Sequence, residues 1–183
     1  MSDATTDQTT HQTPEPTPAA DSGTPTVRIV TDSSCDLPAP IADELGITIV
    51  PLSIRFGSDE FIDREELSTA EFWSRCVNSA TLPETAAPAP GQFERAYRAA
   101  AADGATGVVV VSLSSALSAT MQSAQLAARS TGDDADLDLD VRVVDSHTIT
   151  MGLGTIVLAC ARAARDGASV DEVEALATDL AAR

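Results

Sequence analysis

Gly107-Val108-Val109-Val110-Val111-Ser112-Leu113-Ser114-Ser115-Ala116-Leu117-Ser118-Ala119-Thr120-Met121-Gln122-Ser123-Ala124-Gln125-Leu126-Ala127-Ala128 reads as a strand, a turn and a helix in one run. Four β-branched residues without a charge suit a strand buried on both faces. The alanine, glutamine and leucine that follow Thr120 are good helix formers. Between them lies a run of hydroxyls. The first N–H groups of a helix lack internal partners and the dipole is positive there, so a carboxylate or phosphate fits that end. The commoner use of such serines is to cap, and Ser115 or Ser118 could do only that.

Working outward, the same alternation recurs. Val27 to Val30 is a short strand, Thr31 to Pro38 a polar loop, and Pro38 or Pro40 opens a helix that Gly46 stops. Ile47 to Ile54 reads as a second strand, and Phe56 to Phe61 as a hairpin turning at Gly57-Ser58. Ser68-x-x-Glu71 is a capping box for a helix whose Phe72, Trp73 and Val77 are read as core. Thr81 to Pro90 holds three prolines and is neither helix nor central strand; its length hints at a role beyond connection. A helix from Gly91 to Ala102 precedes the opening strand. Val141 to Val144 is a further strand, Met151 to Arg165 a helix, and Ser169-x-x-Glu172 caps the last one. Gly132 to Asp140 reads as a solvated acidic loop.

Strands alternating with helices predict an α/β fold with a mostly parallel sheet flanked by helices. Right-handed crossovers bring the strand-to-helix loops to the carboxyl ends of the strands. That gathers Thr31–Asp36, Thr81–Pro90, Ser112–Thr120 and Asp145–Met151 on one rim. Residues 1–26, rich in Thr, Pro, Asp and Gln, are read as a disordered tail, and residues 27–183 as one domain.

Composition narrows the function. The chain has 183 residues, 43% hydrophobic but only 3% aromatic, so the core must be aliphatic. The net charge is −17, and every basic side chain is an arginine, which argues against nucleic acid and anionic lipid surfaces. Local helix termini can still hold a small anion, since screening acts over about 8 Å. Cys35, Cys76 and Cys160 lack metal or disulfide spacing, which points to reduced thiols in a cytoplasmic protein. No segment reads as a secretory signal or a membrane span, so stable membrane insertion is not expected.

Four motifs, in order, resemble the DegV family of bacterial fatty-acid-binding proteins. They are Thr31-Asp32-Ser33-Ser34-Cys35-Asp36-Leu37-Pro38, the proline-rich stretch Pro83 to Phe93, the turn Ser114 to Ala124, and Val143 to Gly154. The resemblance implies a carrier, not an enzyme, with no cofactor. Its ligand would be one long-chain fatty acid such as palmitate, its partner a separate fatty acid kinase. It implies that Thr85 and Ser118 hold the carboxylate. Ala86 and Ala87 depart from the usual Ser and Gln, and Ala119 from a glycine; the last is harmless where φ is negative. The chain stops where the family continues into a second domain, so palmitate binding by this chain alone is expected to be weak or absent. Gly152, Gly154, Ala159 and Ala163 either leave room for a tail or serve close packing.

Other readings are weighed on the same residues. Asp145, Ser146 and His147 have the residue types of a hydrolase triad, but neighbours in sequence are poorly placed for a relay, and GxSxG is absent. Asp32, Asp36 and Asp145 could hold magnesium, or the first two could simply cap turns. A third reading is a non-binding half or an interaction module that pairs with another chain through an exposed apolar patch.

Overall fold

A computed structural model of the chain describes residues 26–135 and 137–183. The expectation for the amino-terminal tail lies outside these residues, apart from Thr26, whose carbonyl accepts the amides of Thr106 and Gly107. The main sheet is four parallel strands in the order β2-β1-β6-β7: β1 Val27–Asp32, β2 Thr48–Val50, β6 Gly107–Ser112 and β7 Asp140–Asp145. Three shorter strands form a second, antiparallel sheet in the order β4-β3-β5: β3 Ser53–Phe56, β4 Asp59–Ile62 and β5 Glu84–Ala86. Six helices flank them: α1 Ala39–Glu44, α2 Thr69–Asn78, α3 Pro90–Ala102, α4 Thr120–Gly132, α5 Met151–Arg165 and α6 Val170–Ala181. The α/β class read from the sequence is the one observed.

Strand β6 shows why the valine run matters. It pairs with β1 on one side and β7 on the other, and all six of its residues are buried. Side chains alternate across a strand. Val109 and Val111 therefore join a core with α1, α5 and α6, while Val108 and Val110 join a second core with α3 and α4. Each face of a buried strand needs an apolar residue at every other position, so an uninterrupted valine run is what two cores demand.

Two expectations need correction. Ile47 to Ile54 is not one strand: Pro51 lacks the amide a continuing ladder requires, and the chain leaves the main sheet there to start β3 in the second. Phe72, Trp73 and Val77 are not core. Helix α2 has its capping box at Ser68 but buries none of its residues; Trp73 is 61% exposed and Val77 82%. Its amphipathic spacing is satisfied by a partial contact, with Phe72 edge-on to Phe56 and Arg75 over the Phe61 ring. The hairpin at Gly57 forms as read, with φ of +62° at that residue. Thr81 to Pro90 avoids a central position but supplies β5, an edge strand paired with β3.

Candidate functional site

The strand order creates the site. From β1 the chain crosses through α1, on the face of the α5 and α6 core. From β6 it crosses through α4, on the opposite face. Adjacent strands whose connections depart to opposite faces leave a crevice beyond their carboxyl ends. A cleft of about 550 Å³ lies there. All four rim segments expected from the sequence reach it: Ser33 and Ser34 after β1, Thr85 and Ala87 from the proline-rich stretch, Leu113, Leu117, Ser118 and Ala119 after β6, and Ile149 after β7. Ile54 of β3, with Leu52 just before that strand and Asp63 just after β4, completes the wall. Thr85 stands opposite Ile54 in the β3–β5 register, so the two share a face of that sheet.

Side chains lock these loops in place. Thr31 Oγ1 donates to the Val111 carbonyl at 2.8 Å. Asp32 is fully buried and accepts from Leu113 N at 2.8 Å, Ser34 N at 3.1 Å and Ser34 Oγ at 2.5 Å. Burial pushes its carboxyl above the usual range, against the pull of those donors. The Ser34 carbonyl accepts Thr150 N at 2.9 Å, and the Thr148 carbonyl accepts Ser114 N at 2.9 Å. Asp145 accepts Ser115 N at 3.2 Å and His147 N at 2.9 Å. Burial raises this carboxyl, yet the bonds from Ser115 and His147 outweigh it and hold Asp145 below its ordinary value.

The start of α4 is not capped as expected. Ala119 is the N-cap residue and offers no side-chain bond. Ser118 sits one place earlier; its Oγ lies 2.9 Å from Thr120 Oγ1 and accepts Thr120 N at 3.2 Å. The next amides of that first turn have no helical acceptor. Ala119 has φ of −80°, so a side chain is accommodated without strain where the family pattern has glycine.

Among the small residues of α5, Gly154 serves close packing, while Gly152 and Ala159 line a separate hollow. A methyl on Gly154 would come within 2.4 Å of the Cys35 carbonyl, and neither it nor Gly152, Ala159 or Ala163 lines the cleft. Asp145 and His147 do approach, with Nδ1 3.3 Å from Oδ2, because His147 curls back at φ of +53°. Ser146 is buried and turns its hydroxyl to the Thr148 carbonyl, so the three do not form a relay. Asp32 caps the turn Ser33–Cys35, and Asp36 follows it in the left-handed region. Among the described residues no group of three or more His, Cys, Asp or Glu could hold a metal ion, and no helix is long and apolar enough to cross a membrane. Leu52, Ile54 and Asp63 were not singled out from the sequence. Their place on the wall follows from how the second sheet packs over the first, which the hairpin signal at Gly57-Ser58 does not reveal.

A hydroxyl- and aliphatic-lined crevice at the switch point of a parallel sheet is the feature that marks this as an open α/β domain. The chain belongs to the DegV family: the family model described as "Uncharacterised protein, DegV family" matches residues 26–183. A DegV domain-containing protein of Clostridium perfringens is 34% identical over 148 residues, which cover 81% of this chain and 51% of that protein. A solved DegV family protein from Thermus thermophilus, described for its fatty acid binding, superposes with a TM-score of 0.75 at 33% identity, covering 85% of this chain and 53% of that one. A Thermotoga maritima protein, described as revealing fatty acid binding function, gives 0.73 at 26% identity, covering 84% and 54%. The chain spans about half the length of the curated relatives it matches.

Proposed function

We propose that this chain binds a long-chain fatty acid such as palmitate, with Thr85 and Ser118 donating to its carboxylate, and presents that head group to a separate kinase. The observation that carries the reading is the convergence of Thr85 and Ser118 on one cleft beside a helix start whose N-cap residue, Ala119, offers no side-chain bond. Hydroxyls and unpaired amides suit an anion, and the aliphatic wall of Leu52, Ile54, Leu113 and Leu117 suits its tail. Each methylene removed from water contributes about 0.8 kcal/mol, so the tail sets gross affinity. Each hydrogen bond to the charged head group contributes about 1.5–3 kcal/mol and fixes orientation. Leu117, 65% exposed, and Ile149, 39% exposed, stand at an open wall, so binding by these residues alone is weak. The same open wall would let a second polypeptide cover the tail, which joins the carrier and pairing readings rather than opposing them.

The test combines native mass spectrometry of the purified chain with an NMR titration using octanoate, a soluble short-chain probe. The expected result is a co-purified fatty-acid mass, or amide shifts confined to Ser33, Thr85 and the residues from Leu113 to Met121. Binding should weaken about tenfold or more in Thr85→Val and in Ser118→Ala. A chain free of lipid, whose cleft amides do not respond to octanoate, would refute the assignment.

A further inference from the structure

The two hydroxyls assigned to the head group stand on different sheets, Thr85 on β5 and Ser118 after β6. No strand pairing joins the sheets among the described residues. The chain passes between them only through Pro51-Leu52 after β2 and Ala87-Pro88-Ala89 after β5. The gap between Thr85 and Ser118 therefore depends on contacts that cross from one sheet to the other.

Four side-chain hydrogen bonds do so, and all end on the segment after β1; the longest runs from Arg64 Nη2 to Cys35 Sγ at 4.0 Å. Leu52 N donates to Ser33 Oγ at 3.1 Å. Arg64 donates from Nη1 to the Leu37 carbonyl at 2.7 Å and from Nη2 to the Ser33 carbonyl at 3.1 Å. The segment they reach is itself fixed to the Ser118 loop, through Asp32 to Leu113 N. Arg64 lies two residues beyond the end of β4, with φ of +68°, a left-handed conformation unfavourable for a side chain of this size. Its neighbours hold it there: Asp63 N bonds to the Leu52 carbonyl at 2.9 Å and Arg64 N to the Leu67 carbonyl at 3.3 Å. That backbone aims the guanidinium off the second sheet and onto the first. A planar fork reaches two carbonyls at once, which a lysine ammonium cannot reproduce in the same geometry.

We propose that Arg64 is a positioning residue that sets the width of the cleft, by clamping the second sheet to the Ser33–Leu37 segment. Its effect on ligand rests on the reading of Thr85 and Ser118 given above; the clamp itself does not. Without it, the second sheet keeps its own pairing and rocks on its two connections. Thr85 then samples a range of distances from Ser118.

The test uses the full chain with Cys76→Ser, Ala86→Cys and Ala116→Cys, which places exposed spin labels on β5 and the Ser118 loop while Cys35 and Cys160 stay buried. Pulsed electron resonance then reads the distance between the sheets. A narrow distribution is expected in the parent and in Arg129→Ala, and a broadened or shifted one in Arg64→Ala and Arg64→Lys. Octanoate affinity should fall about tenfold in Arg64→Ala, as expected of a site left loose by its support. In a Thr85→Val background Arg64→Ala should cause no further fall, although its loss of thermal stability persists. Parent-like distances in both Arg64 variants would overturn the proposal, as would affinity losses that multiply in the double variant. Should Arg64→Ala fail to fold, Arg64→Lys decides. Should octanoate bind no form of the chain, the ligand reading falls and the label distances still decide the clamp.

Discussion

Gly154→Ala tests how tightly the cleft floor is braced. Gly154 lies in the first turn of α5, and an added Cβ would sit 2.4 Å from the Cys35 carbonyl, 3.2 Å from Leu37 Cδ2 and 3.3 Å from Met151 Sδ. The carbonyl cannot swing aside. It belongs to the short turn Ser33–Cys35, tied at one end by Asp32 and at the other by the Ser34 carbonyl to Thr150 N. Ordinary contact would require α5 and the turn to part by about 1 Å, at an overpacking cost of about 3 kcal/mol, the upper part of the usual range. Replacing a helical glycine returns about 1 kcal/mol. The net expectation is a loss of about 2 kcal/mol, which lowers the urea midpoint by about 1 M at a typical slope. Gly152→Ala is the control. Its nearest obstacle is the Thr148 side chain, with Oγ1 at 2.3 Å, which can rotate away, so its midpoint should move little. Equal midpoints for the two variants would refute the reasoning, because the argument turns on an immovable main-chain atom against a movable side chain. An NMR map should also show Ser33 and Ser34 shifted in Gly154→Ala alone.

Other outcomes follow from the same geometry. Ser118→Ala should weaken octanoate binding about tenfold or more in an NMR titration, since one charged hydrogen bond is lost; unchanged affinity would remove Ser118 from the site. Trp73→Ala should change the unfolding free energy by under about 1 kcal/mol, because the residue is 61% exposed and its ring contact among the described residues is with its neighbour Phe72. The single tryptophan should also fluoresce as in water and be freely quenched by iodide; a shielded, blue-shifted signal would contradict this. Asp145 is held below its ordinary value of 3.8, so its bonds stabilise the fold above that pH and are lost as the pH falls through the lowered folded value. Asp145→Asn should thus be less stable than the parent at neutral pH in urea melts, with a gap that closes below pH 3.8. A gap constant into acid would contradict the assignment.

Much of the fold was legible because it is written in short-range signals. The valine run of β6, the capping boxes at Ser68 and Ser169, and the Gly57 turn each specify their structure within a few residues. The gathering of the loops after β1, β6 and β7 on one rim was legible too, since crossover handedness fixes it once the strands are known, whereas Thr81–Pro90 reaches that rim through β5 of the second sheet. What stayed hidden depends on tertiary partners. Phe72, Trp73 and Val77 have the spacing of a buried stripe, but spacing does not reveal that only the edge of a small hairpin lies opposite. The reach of Arg64 across two sheets has no local signature, whereas the break in Ile47 to Ile54 is marked by Pro51 itself. Ser118 reads as a cap, and it does take one first-turn amide, that of Thr120, but from one place before the N-cap, where Ala119 offers no side-chain bond.

The crevice above β1 and β6 is a product of strand order, not of missing side chains. Its hollow exists because two connections leave in opposite directions, while the cores on either face of the sheet remain fully packed beneath it. Residues such as Ala87, Leu117 and Ala119 can therefore be exchanged to suit a different guest without loosening the foundations. A scaffold of this kind separates the evolution of what it holds from the evolution of how firmly it stands.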